Sequence, residues 1–129
     1  MKTPYSDLFE PPAPLLTAQV STLADEAPSS LLPALVDTGA DTTLIPATLI
    51  EQLRLAESGN MRVQSYEGEP KLTPAYDIII RVAQFKLVGL PVAAFSADYI
   101  LLGHDVLNLL RLLLDGPALT LEILEAANR

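Results

Sequence analysis

The apolar segments of this chain are short, and each is stopped by Pro, Gly or a small polar cluster. Leu15 to Leu23 gives way to Asp25-Glu26-Ala27-Pro28-Ser29-Ser30, Leu31 to Val36 to Asp37-Thr38-Gly39, and Thr43-Leu44-Ile45 to Pro46. Runs of this length suit strands, and the residues between them suit turns. Only two stretches have helical spacing. Ala47 to Leu55 puts Leu49, Ile50 and Leu53 on one face, and Asp105 to Leu112 does the same with Val106, Leu109 and Leu110. Met61 to Val82 reads as a long hairpin with its tip at Glu67-Gly68-Glu69-Pro70, returning through β-branched Ile78-Ile79-Ile80. Gln84 to Val88, Pro91 to Phe95 and Tyr99 to Leu102 read as further strands, and Leu112 to Leu124 as a terminal hairpin around Asp115-Gly116-Pro117. Strands do not alternate with long helices. The pattern therefore predicts an all-β, mostly antiparallel, barrel-like domain with one or two short helices. Residues 1–14 carry Pro4, Pro11, Pro12 and Pro14. They predict a flexible, Pro-rich N-terminal arm, either extended or disordered, ahead of a domain spanning 15–129.

Half of the 129 residues are hydrophobic, enough for one domain with a sizeable core. Sixteen acidic residues against eight Lys and Arg leave a formal charge of -8, and the basic residues are scattered. Phosphate-backbone binding needs clustered cations, so no nucleic-acid partner is expected. The chain has no Cys, which excludes disulfides, thiolate metal sites and a Cys nucleophile. His104 is its one histidine, so a multi-His metal site cannot form within one chain. Thiolate and multi-His metal sites are therefore not expected. The segment Met1-Lys2-Thr3-Pro4-Tyr5-Ser6-Asp7 has no apolar signal-peptide core, and no apolar run approaches membrane-spanning length. The expectation is a soluble, cytoplasmic protein with no membrane partner.

Asp37-Thr38-Gly39 occurs once. An apolar strand delivers its carboxylate to a tight turn, and two readings are open. One is an Asx turn after a strand, with Gly39 supplying an unusual φ. The other is half of a carboxylate pair. Aspartic proteolysis needs two facing carboxylates, so one copy implies either a symmetric dimer or no enzyme.

The longer string Ala34-Leu35-Val36-Asp37-Thr38-Gly39-Ala40-Asp41-Thr42-Thr43-Leu44-Ile45-Pro46 resembles the active-site segment of the retroviral-type, retropepsin-like aspartic proteases. Ile100-Leu101-Leu102-Gly103-His104-Asp105-Val106-Leu107 resembles that family's apolar-apolar-Gly strand and the helix after it. The hairpin between the two segments sits where the family has its flap. The resemblance covers roughly residues 15 to 124.

The resemblance implies a closed β-barrel of the acid protease fold and an endopeptidase that acts as a homodimer on extended peptide or protein substrates, with no metal and no cofactor. By the same resemblance Asp37 is catalytic, Thr38 hydroxyls brace the paired loops, and Gly39 carbonyls contact the substrate backbone. Ala40 and Asp41 are substrate-binding candidates, although Asp41 also fits a solvated turn carboxylate. Tyr66, Glu67 and Gly68 belong to the flap, whose acidic tip departs from the Gly-rich retroviral form; Tyr66 is equally an outward strand residue. In pepsin-like sites a hydroxyl residue often follows Asp-Thr-Gly and can hydrogen-bond the carboxylate. Ala40 cannot, which predicts a mildly acidic to near-neutral optimum. His104 stands where retroviral members often have an Arg that pairs with the counterpart of Asp41. A His104–Asp41 pair and a locally satisfied His are both open. Asp105 fits a carboxylate favoured at a helix start. The Leu-rich tail from Leu107 reads as core plus dimer interface. An alternative on the same fold is a non-catalytic dimeric peptide-binding or assembly module. An unrelated β-barrel ligand carrier is a weaker third.

Overall fold

In the computed structural model, residues 2–63 and 69–124 are described. Alternation of side chains is clearest in β2 (Leu15–Ser21), where Leu16, Ala18 and Val20 are buried and Thr17 is exposed. The first strand, β1 (Lys2–Pro4), precedes it. After β2 come β3 (Leu32–Val36), β4 (Leu44–Pro46) and helix α1 (Ala47–Leu53). The middle of the chain forms β5 (Gly59–Val63), β6 (Lys71–Val82) and β7 (Phe85–Phe95). The last part is β8 (Ile100–Leu102), α2 (His104–Leu107), β9 (Arg111–Asp115) and β10 (Thr120–Leu124).

Six of these strands close on themselves. The hydrogen-bonded order runs β2-β3-β8-β4-β7-β6, and β6 pairs back with β2, so the ring has no free edge. β5 lies outside the ring on β6. Leu16, Ala34, Ile45, Ile78, Ile80, Val92, Ile100 and Leu102 fill the interior. Most pairings are antiparallel, as expected, but β3 runs parallel to β8 and β4 parallel to β7. Those two parallel pairs bring β3, β4 and β8 side by side. The ends of β3 and β8 therefore meet at one place.

The structure modifies three expectations. Gln84 to Val88 and Pro91 to Phe95 are one strand, β7. Its register against β6 shifts between Ile78 and Ile79, which face Leu90 and Val88, and Gly89 absorbs the extra residue at φ 80°. Helix α2 stops at Leu107, so the expected stretch to Leu112 is mostly a turn leading into β9. The N-terminal segment is laid on the domain, with a turn at residues 7–11 closed by the Ser6–Ala13 bridge: β1 pairs with β10, the Tyr5 amide donates to the Leu119 carbonyl at 2.7 Å, and the Phe9 ring meets Tyr99 edge-on at 5.2 Å. With β9 on the other side of β10, the terminal sheet has the order β1-β10-β9. Among the described residues, no helix is long and apolar enough to cross a membrane.

Candidate active site

The loop Asp37–Thr43 leaves the barrel where β3 ends beside β8. The Asp37 amide still belongs to that parallel pairing, donating to the Leu102 carbonyl at 3.2 Å. The chain then turns, and the Ala40 amide donates to the Asp37 carbonyl at 3.2 Å. The Gly39 amide donates to Asp37 Oδ1 at 3.0 Å. The Asx-type contact is thus present. Gly39 does not take a left-handed φ, however; among the described residues the glycines with positive φ are Gly59 and Gly89. The bond from the Gly39 amide engages Oδ1 and leaves Oδ2 for other partners.

Three residues of the second segment hold this loop. Gly103 follows β8 at the point of closest approach, where an added Cβ would lie 2.7 Å from backbone atoms of Thr42. No L side chain fits there without moving one of the two chains. Thr43 is fully buried, and its hydroxyl donates to Asp105 Oδ1 at 2.6 Å while accepting from the Gly103 amide at 3.1 Å. The Thr43 amide donates to Asp105 Oδ2 at 3.0 Å. Asp105 therefore ties α2 to the start of β4, a long-range role beyond the helix-end one expected for it. The His104 amide donates to the Ala40 carbonyl at 2.8 Å, and its ring Nε2 lies 2.5 Å from the Thr38 carbonyl. His104 Nδ1 and Asp41 Oδ1 are 3.9 Å apart, with the Asp41 side chain 88% exposed. An ion pair that wet is worth little on its own.

Asp37, Gly39, Ala40 and Asp41 line a cleft of about 450 Å³, together with Arg62 and Val63 of β5 and Pro70 just before β6. Leu44 and Leu101 supply apolar wall. Of the residues singled out from sequence, Asp37 through Asp41 thus share one loop. Thr38 is exposed and is not among the residues that line the cleft. The flap candidates Tyr66, Glu67 and Gly68 lie outside the described residues. Arg62, Leu44 and Leu101 had not been singled out. Arg62 and Leu101 were legible only by assigning faces to β5 and β8. Among the described residues, no three His, Cys, Asp or Glu side chains come close enough to hold a metal ion.

The turn presents one carboxylate, that of Asp37, to a cleft and is braced by a Gly-terminated strand and a short helix. The family model for "gag-polyprotein putative aspartyl protease" matches residues 30–109. The chain belongs to that family. The match includes both the Asp-Thr-Gly loop and the Gly103 strand that supports it, so this retropepsin-like chain carries the family's paired segments. Solved structures agree on the fold. The solution structure of Simian Foamy Virus (mac) protease is 23% identical, with a TM-score of 0.55 over 74% of this chain and 92% of that one. The foamy viral protease-reverse transcriptase in complex with an RNA/DNA hybrid is 21% identical over 74% of this chain, with a TM-score of 0.54. This chain spans only 12% of that longer polypeptide. No curated protein sequence matches this chain.

Proposed function

We propose that this protein is an aspartic endopeptidase whose active site forms between two copies of the chain, one Asp37 from each. The observation that carries the reading is the position of Asp37. It is the carboxylate of the chain's single Asp-Thr-Gly, held by the Gly39 amide and facing the cleft. In a pair, one Asp37 carboxylate takes a proton from a bound water as the water oxygen attacks the scissile carbonyl carbon. The other, protonated, hydrogen-bonds the carbonyl oxygen, and the leaving nitrogen collects a proton as the C–N bond breaks.

Two features support a second copy. Leu109, Leu113, Leu114, Leu119 and Leu124 are each 37–50% exposed on or beside the terminal sheet, which is costly for a monomer. Among the described residues β9 pairs only with β10, leaving one strand edge available. The cleft suits an extended peptide with apolar side chains against Leu44, Leu101 and Val63. Among the described residues, Arg62 is the only cationic one of the lining and makes no ion pair. It favours an acidic group on the substrate at that end. The expected result is pepstatin-sensitive cleavage of unstructured peptides at mildly acidic pH, abolished in Asp37→Asn while the dimer persists. Full activity in Asp37→Asn would sink the mechanism. Peptide binding without cleavage by the unmodified chain would favour the dimeric binding module instead.

A further inference from the structure

We infer that His104 is a positioning residue that locks the catalytic loop through the Thr38 carbonyl, an inference that rests on the protease reading above. His104 grips the loop on both sides of Gly39. Its backbone amide holds the Ala40 carbonyl at 2.8 Å, and its ring Nε2 reaches the Thr38 carbonyl at 2.5 Å. A carbonyl oxygen can only accept, so Nε2 carries the proton, and the ring is either the Nε2–H tautomer or the imidazolium. Nδ1 then faces Asp41 at 3.9 Å. Asp105, the next residue of the helix, is engaged by Thr43.

The clamp has a firm base. His104 opens α2 directly after Gly103, whose backbone lies against Thr42, and α2 is tied to the barrel through Asp105 and Thr43. Thr38 and Gly39 are exposed, and the Thr38–Gly39 peptide is the one whose amide donates to Asp37 Oδ1. Holding the Thr38 carbonyl fixes that peptide plane, and with it the aim of the Gly39 N–H at the carboxylate. The ring is 47% exposed, so its removal leaves the core intact and releases the loop. Misplacing a catalytic group by a fraction of an ångström to 1 Å costs up to about 100-fold in rate.

The experiment compares His104→Ala, His104→Asn and His104→Gln in the full chain. The Gln amide nitrogen stands at the same distance along the side chain as Nε2, whereas the Asn nitrogen stands nearer Nδ1. His104→Ala and His104→Asn are expected to lose about 10- to 100-fold in kcat with KM, dimer mass and melting temperature near those of the unmodified chain. His104→Gln should regain most of that loss. Hydrogen exchange at the Gly39 and Ala40 amides reads the clamp without turnover: exchange should quicken in the Ala and Asn variants and slow again in the Gln variant. Unchanged exchange in His104→Ala, or a Gln variant no better than Asn, overturns the clamp. An inactive unmodified chain whose exchange follows the predicted order would instead overturn the protease reading and keep the clamp.

Discussion

At the scale of single residues, the site depends on a glycine as much as on the aspartate. Gly103 lets β8 run within contact distance of the loop that carries Asp37, and an alanine there would drive its Cβ to 2.7 Å from the Thr42 backbone. Both partners are backbone, so neither can rotate away. Gly103→Ala is therefore expected to destabilise the fold by about 1–3 kcal/mol or more, read as a lower midpoint in denaturant unfolding. An unchanged midpoint would mean that the two segments are not pressed together as described. Both residues were legible in the sequence, Asp37 from the turn that ends an apolar run and Gly103 from the end of Ile100-Leu101-Leu102. Asp105 was legible only in part. A carboxylate at a helix start is a local inference, whereas its bonds to Thr43 join residues 62 apart in the chain. No local pattern announces such a bond.

At the scale of elements, Thr43 connects β4, β8 and α2 through one buried hydroxyl. Thr43→Val keeps the shape and removes the hydroxyl, leaving the Gly103 amide unpaired and the Asp105 carboxylate short of a donor. The expected cost is about 1–3 kcal/mol, with a loss of activity beyond what unfolding explains, because the loop and its brace separate. Equal stability and turnover in the valine variant would show that the hydroxyl is dispensable. Most elements could be read from short apolar runs and turn residues, including both hairpins. The misreadings have physical causes. Gly89 and Pro91 look like a break between strands, yet a bulge opposite Ile78 and Ile79 carries one strand through them. Val106, Leu109 and Leu110 have helical spacing, but the chain leaves α2 after Leu107 to enter β9. Parallel pairing of β3 with β8 is likewise set by tertiary closure of the ring, and alternation within a strand does not reveal its partner's direction.

At the scale of the whole molecule, the chain holds one copy of Asp-Thr-Gly, and the proposed mechanism needs two. The terminal sheet is where the second copy is expected. Leu113 is half exposed and faces outward beside Glu122 on the neighbouring strand, so a charge there should leave the barrel folded. Leu113→Glu is expected to shift the sedimenting species toward the monomer and to reduce activity in proportion. A dimeric, fully active Leu113→Glu would place the interface elsewhere. The most direct test of a shared site is to co-refold the unmodified chain with Asp37→Asn in varying ratios at constant total protein and measure peptide cleavage. If each active site takes one Asp37 from each of two chains, activity falls as the square of the unmodified fraction. A strictly linear fall would show that each chain works alone, and would contradict the shared site.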